Sequence, residues 1–137
     1  MSFENKLVAV LNKDIESGVV LNALAHMAVG LGAEAGKPLL RLDNYQDSEG
    51  NIYPNISQIP FIILRAKSGE IRKTVAKAKE QKILHGVFLN TMTGGTYQDQ
   101  LVRTSESVEE ALIYFGCTLF GNWDMVSEIT RKFSLWK

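Results

Sequence analysis

One cysteine, two histidines, two tryptophans and three prolines are all that 137 residues contain of those types. The single Cys117 excludes an internal disulfide, and it excludes zinc held by several thiolates. It stands in the apolar run YFGCTLFG with no histidine motif nearby, which fits a buried small hydrophobe better than a nucleophile. His26 and His85 lie far apart in sequence, and no His-x-x-x-His pair or paired-carboxylate spacing occurs, so neither a metal nor a cofactor is expected. Charge of one sign is also lacking. Fifteen Lys and Arg balance fifteen Asp and Glu, so no global field recruits nucleic acid or an anionic membrane. The N-terminal stretch MSFENKLVAVLNKD has an apolar core of only five residues, Leu7 to Leu11. That is too short for a signal segment or a membrane span. We therefore expect a cytoplasmic chain with no membrane and no DNA partner.

What is present suits one globular domain over residues 1–137, with 45% hydrophobic and 22% charged residues. KLVAVLN (Lys6 to Asn12) reads as a buried strand, and Ser17 as the N-cap of an apolar helix that Gly30, Gly32 and Gly36 end. PLLRLD (Pro38 to Asp43) reads as a second strand, followed by turn-rich NYQDSEGN and an irregular NIYPNISQIP. FIILRA (Phe61 to Ala66) is a central strand, and the helix after Ser68 has Ile71, Val75 and Ala78 on one face. HGVFLN (His85 to Asn90) is a further strand, and TMTGGTYQD a loop with a tight Gly94-Gly95 turn. SESVEEALIYFG is expected as a helix begun by Ser105, CTLF as a short strand, and NWDMVSEITRKF as a last helix before a packed SLWK tail. Alternating strands and helices imply an α/β fold, a three-layer α/β/α sandwich with a four- to five-stranded mixed sheet.

Gly30, Gly32 and Gly36 follow a helix and precede a strand, so they are helix terminators and not a phosphate loop. Lys67 to His85 carries six basic residues against two acidic ones, a local net of +4. Asp99 to Glu128 carries six acidic residues against Arg103 alone, a net of −5. Such asymmetry suits RNA phosphates, a homodimer with complementary faces, or a plain solvated helix. The stretch GVVLNALAHMAVGLG, Gly18 to Gly32, is nearly all apolar or small, with Asn22 and His26 one helical turn apart. Ligands in α/β sheets bind beside strand C-terminal ends, which puts Asn22 and His26 near Lys13 and Asp14 at the end of the first strand. Thr91, Thr93, Thr96 and Tyr97 would supply hydroxyls to the same cleft, alongside Asn90.

Three segments together resemble a bacterial family of domains of unknown function, number two thousand in its series, which is grouped with the type-II peptidyl-tRNA hydrolases. KLVAVLNKDIESGVVLNALAHMAVG is similar to the hydrolases' opening of strand, Asp, Gly-Lys and a helix ending Gln-x-x-His-Ala. EIRKTVAKAKEQ resembles their middle helix, and TLFGNWDMVSEITRKFSLW their closing strand, turn and final helix. The Phe-Ser-Leu-Trp ending is the mark of the uncharacterised family. The resemblance implies a peptidyl-tRNA hydrolase II-like fold, a homodimer, and His26 and Asp14 as catalytic candidates. Val19 stands where the hydrolases carry their lysine, Ala23 where they carry glutamine, and Asn90 or Thr91 where they carry a loop aspartate. A cation and a carboxylate that position water are thus missing. The expected function is binding of a small molecule or partner in a cleft of Lys13, Asp14, Asn22, His26 and the Asn90–Tyr97 loop. A hydrolase on peptidyl-tRNA or a related ester or amide, and an RNA-binding module using Lys67 to Lys82, are the alternatives.

Overall fold

The computed structural model describes residues 3–137. Five strands form the main sheet in the order β5-β6-β1-β4-β7: β1 Asn5–Asn12, β4 Phe61–Ala66, β5 Leu84–Leu89, β6 Tyr114–Asn122 and β7 Ser134–Leu135. Only β1 and β4 pair in parallel, and β6 runs antiparallel to both β1 and β5. β1 is buried on both sides because its alternate residues serve two cores. Val8 and Val10 join Leu64, Cys117 and Leu119 beneath α3 (Ser68–Glu80) and α5 (Trp123–Thr130), where Ile71, Val75, Val126 and Ile129 complete the cluster. Leu7, Ala9 and Leu11 turn to the opposite face, under α1 (Ser17–Ala35). The sheet is mixed and lies between helices, as the alternation of elements implies.

The inner stripe of α1 is Val20, Ala23, Met27, Leu31 and Ala35, at spacings of three and four. Two glycines let this helix sit close to the sheet. A Cβ on Gly116 would lie 2.9 Å from Met27 Cε, and one on Gly86 would lie 2.7 Å from Thr118 Oγ1. The helix passes through Gly30 and Gly32, which keep helical geometry, and ends only at Gly36, with φ at +84°. Its N-cap position is Glu16 and not Ser17, with no side-chain cap bond. By length and composition α1 is apolar enough to cross a membrane.

Several elements differ from the expectation. Pro38 opens a short helix, α2 (Lys37–Leu40), since proline is tolerated in a first turn where no donor is needed. The strand follows later, as β2 (Leu42–Gln46), and pairs with β3 (Ile52–Ser57) in a separate two-stranded arm. Asp47 holds the arm's turn. Its carboxylate accepts from the amides of Glu49 and Asn51, from Asn51 Nδ2 and from the Tyr53 hydroxyl, which pulls its pKa down to about 2. The helix expected from Ser105 onward lies earlier, as α4 (Tyr97–Ser105). After it come a 3-10 turn at Glu109–Ala111 and the nine-residue β6, which absorbs both YFG and CTLF. The SLWK tail forms β7 along the outer edge of β4, and the Trp136 amide donates to Ile63 O at 2.9 Å.

Candidate functional site

Packing α1 across β6 and β5 leaves a space beside the last strand of the sheet, and α4 closes its far side. The result is a cleft of about 670 Å³. Its floor is five consecutive residues of β5, Leu84 to Phe88; α1 gives His26, Met27, Gly30, Leu31 and Glu34; α4 gives Tyr97, Gln100, Leu101 and Thr104. Alternation along β5 sends Leu84 and Phe88 into the α1-side clusters and Val87 into the α3-side one. Gly86 contributes no side chain, so the middle of the floor is bare backbone.

The two walls are held in different ways. α1 is seated by its buried stripe, whereas α4 buries no residue completely. Polar bonds hold α4 instead. Thr96 caps it and shares reciprocal bonds with Asp99, which lowers the Asp99 pKa. Thr104 Oγ1 meets Thr91 Oγ1 at 2.7 Å, and the Arg103 guanidinium donates to the carbonyls of Thr91, Thr93 and Gly94. Gly94 and Gly95, both at φ +70°, turn the chain back for these contacts.

Of the residues singled out in the sequence, His26 and Tyr97 line this cleft. The His26 ring is tilted against Phe88 with centroids 6.1 Å apart, and Tyr97 is 74% exposed. Asn22 is exposed one turn before His26 and does not line the cleft. Asn90 exchanges bonds with Ile113, its amide donating to Ile113 O and its Oδ1 accepting from Ile113 N. Thr93 donates to Asn90 O, Thr96 is the cap described above, and Thr91 is buried behind the wall. These four therefore shape the α4 wall from outside the cleft.

Asp14 is exposed in the turn after β1, its amide donating to Asn12 Oδ1 at 2.8 Å. About two and a half turns of α1 lie between the helix start at Ser17 and His26, a rise of roughly 13 Å. Lys13 opens instead on a shallow depression at the far end of β1 and β4, with Arg65, Glu70, Lys132 and Lys137. Glu34, Gln100, Thr104 and the β5 edge were not singled out from sequence. No local motif marks them, since they meet only once α1, β5 and α4 are assembled.

Chemically, the cleft is mostly apolar with a few polar groups. Among the described residues His26 has no hydrogen-bonded carboxylate or hydroxyl, so no base–nucleophile pair is present. No group of three His, Cys, Asp or Glu side chains converges among the described residues. Cys117, a residue of β6 facing the α3 side, is fully buried, and burial pushes its thiol up to about 12.

Comparisons with known proteins follow this geometry. A family model described as protein of unknown function (DUF2000) matches residues 5–137. A solved structure, the protein of unknown function Atu0240 from Agrobacterium tumefaciens str. C58, superposes with a TM-score of 0.84 at 23% identity, covering 99% of this chain and 100% of that one. That likeness shows a shared fold. No curated protein matches the chain.

Proposed function

The chain belongs to the DUF2000 family, and from its geometry we propose that it is a binding protein whose ligand lies in the cleft between α1, β5 and α4. The observation that carries this reading is the cleft itself: about 670 Å³, mostly apolar, with His26, Gln100, Thr104 and Glu34 as separated polar points. That is the make-up of a recognition site, in which apolar surface supplies affinity and a few polar groups set orientation. Hydrolysis of peptidyl-tRNA would need a partner for His26, and Val19 on the exposed start of α1 supplies no cation. A peptidyl-tRNA hydrolase II-like fold, which the sequence resemblance implies, is compatible with this reading, since a fold does not fix a reaction.

Gly30 provides the test. It lines the cleft, and a Cβ added there meets nothing within 4 Å. Gly30→Phe fills the cleft while keeping the helix, whose stability should rise by about 0.5 kcal/mol from the lost glycine. Screening metabolite and peptide collections by thermal shift should yield compounds that stabilise the wild type and leave Gly30→Phe unmoved. Compounds that stabilise both equally, or none at all, defeat the reading.

A second reading rests on a separate observation. The depression at Lys13 gathers Arg65, Lys132 and Lys137 against Glu70 alone. Lys73, Lys77, Lys79 and Lys82 are exposed and make no ion pair among the described residues, whereas Arg72 is occupied by Glu109. These cations favour contact with a polyanion such as RNA, with a homodimer as the other partner that opposed charges suit. RNA retention that falls steeply with salt and is lost in Arg65→Glu with Lys132→Glu would support it; salt-insensitive retention would not.

A further inference from the structure

Backbone groups decide what kind of ligand suits the cleft, given the reading above that the cleft binds one. The Lys13 amide donates to Ala66 O, so the odd-numbered residues of β1 direct their peptide groups to β4 and the even-numbered ones to β6. The register then assigns Cys117 and Leu119 to β1, leaving Gly116, Thr118 and Phe120 to pair with Phe88, Gly86 and Leu84 of β5. His85 and Val87 therefore turn their N–H and C=O groups outward, to an edge that no other strand among the described residues covers. Leu89 shares that outward orientation, and its amide is already taken by Met92 Sδ at 3.3 Å. Four backbone groups remain open, two donors and two acceptors in alternation, along the floor of an apolar cleft. Five residues of β5 present about 17 Å of strand at roughly 3.3 Å each.

Such a row matches another polypeptide backbone in spacing and in donor–acceptor order, which a compact metabolite does not. The cleft is also charged at one end. Glu34, beside Leu84, is the one side chain with a formal charge among the cleft-lining residues, and His26 stands at the other end beside Phe88. We infer that the cleft takes an extended peptide segment as an added strand on the free edge of β5, with alternate apolar side chains against α1 and a Lys or Arg beside Glu34. Met27 and Leu31 face two successive inward side chains of such a strand. Gly86 leaves the floor flat enough for close approach. Tyr97 and Leu101 cover the segment from the α4 side, and because α4 is held by polar bonds rather than by core packing, it can adjust to side chains of different size.

The probe is a phage-displayed library of random nine-residue peptides, panned on the wild type and counter-selected on Gly30→Phe. Enriched peptides are resynthesised with fluorescein and measured by anisotropy. The expected peptides alternate apolar residues and end in Lys or Arg. N-methylation of every second amide, in the register that faces His85 and Val87, should weaken binding at least tenfold; the intervening amides should tolerate it. Glu34→Gln should weaken binding severalfold, and amide exchange at His85 and Val87 should slow when peptide is added. If N-methylation has the same effect at every position, or protection appears away from β5, strand addition is overturned. If small molecules occupy the cleft and no peptide is enriched, strand addition is overturned and the cleft reading stands. If neither binds, both fall. Protection of His85 and Val87 in the free protein, with a dimer by light scattering, overturns the proposal in favour of a second copy on that edge.

Discussion

The helices on the two faces of the sheet are built to opposite rules. α3 has thirteen residues and six charges, and it buries Ile71, Thr74, Val75 and Ala78 while Lys73, Lys77 and Lys79 face water. α1 has nineteen residues and one charge, Glu34. Its inner stripe is packed as well as that of α3, yet Leu21 is 55% exposed and Val29 75% on its other side. A helix apolar all round is normally covered all round. The α3 face is therefore finished by solvent, whereas the α1 face, which also carries the cleft, leaves large apolar side chains exposed. The contrast supports the proposed binding role of the α1 side without any catalytic motif.

Breaking the comparison begins with what the two helices share. Ile71→Ala and Met27→Ala remove equivalent inner contacts and should each cost about 2–5 kcal/mol in urea unfolding. A cost for Met27→Ala well below that range would mean that α1 is not seated as described. The sealed nature of the α3 side gives the second test. Cys117 ionises only with difficulty when folded, since burial raises its pKa from 9.0 to about 12. The neutral thiol is the folded form, so its contribution is complete below about pH 9 and lost as pH rises toward 12. Alkylation by iodoacetamide at pH 8 should be at least a hundredfold slower in the native protein than in urea; comparable rates would place Cys117 at an opening.

The third test sits on the α1 side. Thr118 Oγ1 is buried between Gly86 and the Met27 layer with no partner among the described residues, so the nearly isosteric Thr118→Val should stabilise the fold by about 1 kcal/mol. A thermal melt that falls instead would show the hydroxyl to be satisfied. The smallest effect is expected on the outer surfaces. Leu21→Lys with Val29→Lys should change stability by no more than about 0.5 kcal/mol. The same pair should reduce fluorescence of the apolar dye anilinonaphthalene sulfonate, whereas Lys73→Glu should leave it unaltered. Equal dye response in both would erase the difference between the faces.

Periodicity made the sheet readable where strands are short and mostly apolar: Lys6 to Asn12 and Phe61 to Ala66 fall on strands, as does His85 to Asn90 up to Leu89. It failed where two signals share one vocabulary. Ser105 followed by Glu106, Glu109 and Glu110 imitates a helix start, but the reciprocal Thr96–Asp99 bonds set the start of α4, and the apolar run from Tyr114 is a strand. Gly30 and Gly32 resemble terminators, yet a helix packed along a whole sheet tolerates them, at about 1 kcal/mol each relative to alanine. Within the candidate site, His26 and Tyr97 were legible as polar or aromatic residues in apolar or glycine-rich company. The β5 edge was not, because an open edge is a property of strand order, and that order is set by which strands fail to find a neighbour.

That order has two ends, and the short strand β7 guards one of them. Ser134 and Leu135 pair with Arg65 and Leu64, and Trp136 continues the contact to Ile63, so the outer rim of β4 is occupied by the chain itself. Without those few residues a second rim would lie bare, at the strand beside the centre of the sheet. Molecules with two bare rims can join end to end without limit, whereas a single one admits one guest and stops. The tail thus leaves the sheet one open rim among the described residues, and not the two that unlimited end-to-end joining requires.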